Sequence, residues 1–411
     1  MTEISIEDLI EWLDVSPTPF HVVDTAVRAL EAASFARQHN LGDDVQPRGF
    51  YVRDGAIIAW QKGASSGSFR IIGAHTDSPN LRIQPRPDVS VNGWAQLGVE
   101  IYGGVLLNSW LDRDLAMAGR VIDNDGNAHL FNVNEPLARI PQLAIHLDRE
   151  INERGLLLDR HQHVNPVWGT SAPSFHEWLT DVVGIRNIAG FDAHLYDVNP
   201  ASVLGVDETL LASGRLDNQV SCWAAISALA SGLESENTVV VVLNDHEEVG
   251  SESTTGAAGT MLQGVVNMLM SDLGIEPRHH YDTLAKSWCL SADNAHAVHP
   301  NYQERHESRH APLPNHGPAL KLNGNQRYAT SARGASFLRN ICHRNEIPLQ
   351  TFVSKNNMPC GSTIGPITAT ALGIDAIDIG VPQLSMHSAR ELCGVEDPIY
   401  LYELMKQFVI A

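Results

Sequence analysis

The sequence predicts a mixed α/β protein in which a β-rich insertion interrupts an α/β sandwich. Three observations predict this. The first 45 residues have helical spacing, residues from about 88 to 210 carry hairpin patterns, and from about 214 onward strands and helices alternate. A chain of 411 residues is long enough for two or three domains and needs no disulfide or metal to build a core.

In chain order, Val22, Val23, Val27, Leu30 and Ala33 recur at helical spacing. Phe69–Ala74 reads as a buried strand running into a polar loop. Gln84-Pro85-Arg86-Pro87 resists regular structure and reads as a boundary. Gly119–Ile122 and Ala128–Val133 flank Asn124-Asp125-Gly126, the pattern of a β-hairpin with an Asp-Gly turn. Segments around Val99–Tyr102 and Gln142–Leu147 add candidate strands. Asn218–Leu233 is helical, with Trp223, Ile226, Ala230 and Leu233 on one face. Thr238–Leu243 is β-branched without alternation, as a strand buried on both faces requires. Trp288–Leu290 and Ala376–Ile379 read as short strands. Gly256–Met270, Ser331–Arg344 and Pro398–Ile410 read as helices.

Composition narrows the function. Hydrophobic residues make up 43% and charged residues 18%, ordinary for a globular protein. Asp and Glu number 48 against 28 Lys and Arg, a formal net charge of −20. Such a surface disfavours nucleic acid and anionic membrane, which need basic residues. Cys222, Cys289, Cys342, Cys360 and Cys393 are odd in number and contain no C-x-x-C pair, which predicts a reducing, cytoplasmic setting without disulfides or a thiolate zinc site. Met1–Ile4 lacks a basic region leading into an apolar run, so no signal peptide is predicted. The uncharged stretches Ser253–Ser271 and Asn356–Ile374 carry Gly, Ser, Thr, Asn or Pro and are read as buried loops and helices, not membrane spans.

Five short segments combine His with Asp or Glu, each after or at the end of a predicted strand. They are His75-Thr76-Asp77, Arg215-Leu216-Asp217-Asn218, Asp245-His246-Glu247-Glu248, Asp293-Asn294-Ala295-His296 and Met386-His387-Ser388. Sites in open α/β sheets gather at the carboxyl ends of strands, so these clusters can converge on one crevice. Neutral imidazoles and carboxylates are the ligands of a catalytic zinc site, and a pair of cations can share a carboxylate. Each element also has a structural reading. Asp217 is a helix N-cap candidate, the histidines are ordinary loop residues, and only Glu247-Glu248 gains little structurally from adjacent like charges. Competing motifs fail. Asp245–Gly250 is not H-E-x-x-H, because Gly250 stands at the second histidine position. Gly63–Gly67 matches G-x-S-x-G but leads into a strand, whereas a nucleophile elbow leads from strand to helix.

At these residues the sequence resembles the aspartyl aminopeptidase family of dinuclear zinc metallopeptidases. The matching stretches are GAHTDSP (73–79), SGRLDNQ (213–219), DHEEVGSES (245–253), SADNAHAVHPNY (291–302), LKLNGNQRYAT (320–330), MPCGSTIGP (358–366) and PQLSMHSARE (382–391), in the family's order. The resemblance implies an α/β/α metallopeptidase domain of mixed sheet, discontinuous over 1–87 and 211–411, with a β-rich dimerisation or lid domain inserted at 88–210. It implies two zinc ions per subunit, with Mn2+ or Co2+ as substitutes. His75 and Asp293 would hold one, Glu248 and His387 the other, and Asp217, followed by a cis peptide, would bridge them. Asp77 would orient His75. Glu247 would be the general base for a hydroxide bridging the zinc ions.

The family removes N-terminal Asp or Glu from peptides. By resemblance Lys321 would be the cation of the substrate pocket, with Tyr328 and His296 beside it. His146, in the insertion, would reach a neighbouring subunit's active site, which makes the protein a homo-oligomer, with a dodecamer built from dimers as the family's assembly. Tyr102–Trp110 resembles the family's glycine-rich segment, with Val105 where some members have Gly. The alternatives are an aminopeptidase for neutral residues or an amidohydrolase on the same scaffold, and a non-catalytic oligomeric binding protein.

Overall fold

The computed structural model describes residues 4–65 and 67–411. Met1–Glu3, where the sequence predicts no signal peptide, and Ser66, inside the G-x-S-x-G match, lie outside the described residues.

Among the described residues the strands form three sheets. At the centre of a nine-stranded mixed sheet, Thr238–Asn244, Phe69–His75, Trp288–Ala292 and Asp375–Gly380 run parallel and adjacent. Their carboxyl ends therefore open on one edge. Thr238–Asn244 is buried along its length because both faces are covered. Val239, Val241 and Leu243 pack with the helices Ile6–Val15, Pro19–Ala32, Leu216–Ala230, Ala332–Arg344 and Asp397–Ile410. Val240 and Val242 pack toward Met261–Asp272 and Leu372 on the other side. This is the expected α/β/α sandwich.

A six-stranded sheet holds Asn80–Val91, Trp94–Tyr102, Leu115–Asp123, Ala128–Ala138, Val167–Gly169 and Ile188–Asp197, with its own core around Leu81, Met117, Phe175 and Leu195. The Asp-Gly hairpin forms as the sequence indicates: Gly126 has φ +85° and Asp123 accepts from the amides of Asp125 and Asn127. The third sheet has five strands: Ser202–Leu204, Leu210–Ser213, Glu391–Gly394, Pro382–Leu384 and Ala295–His296.

Four expectations need correction. Gln84–Pro87 is not irregular; it lies inside the strand Asn80–Val91, where the pairing shifts register between Ile83 and Asp88. Prolines lack the ladder N–H, and such an irregularity is where a strand tolerates them. The six-stranded sheet thus begins at Asn80. Gln142–Leu147 is an exposed loop, not a strand; its apolar residues find no partner strand among the described residues. The first 45 residues are helical only to Ala32, after which Ala36-Arg37 pairs with Gly49-Phe50. The helix expected from Gly256 begins at Met261, because Gly256 and Gly259 sit tight against the carbonyls of Ser251 and Ser253 in the preceding loop.

Candidate metal centre

The crevice at the carboxyl edge is built from five chain segments. His75 ends the strand Phe69–His75, and Glu247 and Glu248 lie in a short 3-10 turn just past Thr238–Asn244. Asp293 follows Trp288–Ala292. Asp217 and His387 come from loops joined to the five-stranded sheet, after Leu210–Ser213 and Pro382–Leu384. The expectation that Asp217 could be a plain N-cap fails: its φ/ψ is non-helical within the first turn, and it precedes a cis peptide to Asn218.

The side chains converge. Nε2 of His75 lies 3.5 Å from Asp217 Oδ1, 3.7 Å from Asp293 Oδ1 and 4.0 Å from Glu247 Oε2. Nε2 of His387 lies 3.4 Å from Glu248 Oε2 and 3.7 Å from Asp217 Oδ2. Two triads able to hold a metal ion, His75–Asp217–Asp293 and Asp217–Glu248–His387, share Asp217; a third combines His75 with Glu247 and Glu248. Asp217 Oδ1 and Glu248 Oε1 are buried with no hydrogen-bond partner. Buried carboxylate oxygens left unpaired are costly. A cation removes that cost, so the donor set fits zinc.

The surroundings orient the donors. Nδ1–H of His75 donates to the carbonyl of Asp77 at 3.0 Å, and Nδ1–H of His387 donates to the carbonyl of Gly104 at 3.1 Å. Each bond leaves Nε2 as the lone pair facing the carboxylates. Asp77 therefore holds His75 chiefly through its main chain; its carboxylate lies 3.4 Å from the ring. That carboxylate also accepts from the amides of Glu247 and Glu248, both at 3.1 Å, and from the Tyr102 hydroxyl at 2.7 Å, so it anchors the turn carrying both glutamates.

Charge is crowded here. Burial, with neighbouring Asp293, Asp77 and Asp217 outweighing His75, pushes Glu247 up to about 7, and burial pushes Glu248 well above the carboxylate range. Burial opposes ionisation of Asp217, but hydrogen bonding to His387 and His75 holds its carboxyl below the usual range. His75 and His387 are raised despite burial by the carboxylates around them, His387 to about 10. So many acids around two imidazoles is the electrostatic pattern of a cation site.

The pocket residues are placed differently. Lys321 is 2% exposed, and its Nζ donates to the carbonyls of Asp293 and Asn294 at 2.7 and 2.9 Å. It lies 3.5 Å from Asp293 Oδ2 and 5.0 Å from the Tyr328 ring centroid. His296 and Tyr328 line a cavity of about 200 Å³ with Phe352, Arg305, Lys355 and Cys360. His146 is exposed in the loop after Ile140, and within this chain it is not brought into the metal-binding cluster.

Sequence reasoning missed three participants: Tyr102, Glu391 and the doublet Gly103-Gly104. A Cβ on Gly103 would sit 3.0 Å from Glu248 Cβ, and one on Gly104 would sit 3.0 Å from His387 Nδ1. The glycine doublet was the available signal, since adjacent glycines mark close approach of backbone to a site. Of the rejected alternatives, Ser65 only donates its hydroxyl to the Glu236 carbonyl. The five cysteines are free. Among the described residues no helix is long and apolar enough to cross a membrane.

Comparison with known proteins agrees with this chemistry. The family model described as aminopeptidase I zinc metalloprotease (M18) matches residues 12–409. A probable M18 family aminopeptidase 2 of Streptomyces coelicolor is 46% identical, covering 98% of this chain and 97% of its own length. The protein of that name from Pseudomonas savastanoi is 43% identical, covering 97% and 96%. A cryo-EM structure of the Ape4 and Nbr1 complex superposes with TM-score 0.93 at 34% identity, over 98% of this chain and 85% of that one. The S. cerevisiae mApe1 dodecamer superposes with TM-score 0.86 at 27% identity, over 98% and 95%. The chain belongs to the M18 family of zinc metalloaminopeptidases.

Proposed function

We propose that this enzyme removes N-terminal Asp or Glu from peptides with the help of two zinc ions, which residues including the shared Asp217 would hold. The observation that carries the reading is the pair of triads sharing Asp217, with the Glu247 carboxylate 4.0 Å from His75. His75 and Asp293 would hold one ion, Glu248 and His387 the other. Zinc bound there supplies Lewis acidity toward the scissile carbonyl and lowers the pKa of water. Glu247 takes the proton of the attacking water and returns it to the leaving amine. Burial raises its carboxyl above the ordinary carboxylate range, which favours a group that must both accept and donate a proton.

The acidic preference rests on Lys321. Its ammonium donates to two carbonyls and lies 3.5 Å from Asp293 Oδ2, so it would act on a substrate carboxylate beside Tyr328 and His296 through its buried positive charge. The same observation favours a second reading, a neutral-residue aminopeptidase in which Lys321 only supports Asp293. Peptides with N-terminal Asp, Glu, Leu, Ala and Lys, assayed with and without chelator, separate the two. Activity on Leu and Ala equal to that on Asp would reject the acidic preference. Chelator-resistant activity would reject the zinc mechanism.

The assembly is a homo-oligomer of dimers, of the dodecameric kind solved for yeast mApe1. The inserted domain, 88–210 with its first strand reaching back to Asn80, is the dimerisation unit, and 1–87 with 211–411 the catalytic one. Exposed Leu143, Ile145 and Leu147 flank His146, which supports this loop being covered by a neighbour whose site His146 completes. Free cysteines and the acidic surface suit the cytoplasm.

A further inference from the structure

We propose that Glu391 is a positioning residue whose one carboxylate sets the spacing between Asp217 and His387. The inference rests on the reading of those two as zinc ligands. Glu391 opens the strand Glu391–Gly394 in the middle of the five-stranded sheet and is 2% exposed. That strand pairs on one side with Leu210–Ser213, Ser213 opposite Glu391, and on the other with Pro382–Leu384, Leu384 opposite Leu392. These two neighbours are the strands whose following loops carry Asp217 and His387. Glu391 thus stands where the two ligand loops leave the sheet.

Its oxygens are divided between them. Oε2 accepts the Asp217 amide at 3.0 Å, and Oε1 accepts the His387 amide at 2.6 Å. Amide-to-carboxylate bonds are charge-assisted and stronger than neutral ones. The His387 loop needs such a hold, because Ser385 and His387 both have left-handed backbone, φ +57° and +66°, without being glycine. That conformation is strained for a residue with a Cβ and persists only under constraint. A buried carboxylate is itself costly, and a turn needing one acceptor could use Gln. Two acceptors and no donor, shared between two ligand amides, is what a carboxylate alone provides. Asp77 does the same for Glu247 and Glu248.

The test uses the full zinc-loaded enzyme and three variants. E391Q keeps the length and loses one acceptor; E391D keeps both acceptors but is too short to reach both amides. D217N reports on the ligand reading. Zinc retention is measured by metal analysis across a chelator series, together with kcat, KM and the melting temperature of the metal-free protein. Both Glu391 variants are expected to fold, to melt only a few degrees below wild type without metal, to retain zinc about 10–100-fold more weakly, and to lose kcat rather than KM. Wild-type zinc retention and kcat in E391Q, with D217N impaired, would overturn the role of Glu391 alone. Wild-type zinc retention in D217N would overturn the ligand reading and this inference with it. Failure of both Glu391 variants to fold would also overturn it, by showing that Glu391 holds the fold and not the ligands.

Discussion

Replacing Lys321 by Met tests how a buried cation divides its work between structure and specificity. Met matches the length of the Lys stem but donates nothing. The substitution strands the carbonyls of Asp293 and Asn294, which Nζ now meets at 2.7 and 2.9 Å. Hydrogen bonds from a charged group contribute about 1.5–3 kcal/mol each, so the loss sums to about 3–6 kcal/mol. At about 2.1 cal/mol/K per residue the unfolding entropy of this chain is on the order of 0.9 kcal/mol/K, which gives a melting temperature lower by about 3–7 °C. Calorimetry measures this. If the buried charge also reads a substrate carboxylate, kcat/KM for Asp and Glu peptides falls a further 10-fold or so relative to Leu and Ala, the value of about 1.4 kcal/mol. An unchanged Asp-to-Leu ratio, with the expected thermal loss, would refute the specificity role and leave Lys321 as a support for Asp293. An unchanged melting temperature would refute the hydrogen-bond argument itself.

Four further predictions follow from the same geometry. Glu247→Gln should retain zinc by metal analysis while kcat falls by about 10²–10⁴, the range of general-base catalysis; near-wild-type kcat would remove Glu247 from that role. Gly104→Ala places a Cβ 3.0 Å from His387 Nδ1 and should weaken zinc retention by about 10-fold, read by chelator competition. His146→Phe should lower activity only in the assembled enzyme and leave zinc content unchanged; loss of one zinc per subunit would make it a ligand instead. Finally, burial lowers His21 to about 4 and His194 to about 3. Both pKa values lie below the unfolded value of about 6.5, so their stabilisation is present above that pH and is lost as pH falls toward 4 and 3. Each shift corresponds to on the order of 3–5 kcal/mol, and replacing either with Gln should flatten the acid limb of a melting-temperature profile of the metal-free protein.

Much of the fold was legible because burial leaves a local imprint. Thr238–Leu243 reads as a two-face strand because it lacks alternation, and Asn218–Leu233 reads as a helix because Trp223, Ile226, Ala230 and Leu233 share one face; the structure has Thr238–Asn244 and Leu216–Ala230. The reading failed where the local signal was ambiguous. Prolines at 85 and 87 suggest a break, and only the pairing of Asn80–Val91 with its neighbours shows that the sheet absorbs them at a register shift. Apolar residues at 142–147 suggest a strand, yet the described residues offer them no partner.

The metal centre divides the same way. Residue type marked five segments that combine His with Asp or Glu, and the family resemblance picked His75, Asp217, Glu247, Glu248, Asp293 and His387 out of them. Residue type could not name Glu391 or the Gly103-Gly104 doublet as part of the site, because their roles exist only across loops distant in sequence. The sequence determined which donors are available, since chemistry is carried by side chains. The tertiary structure decided how they are held, since a carboxylate 174 residues from Asp217 and four from His387 can join the two only after the sheet has brought their loops to either side of it.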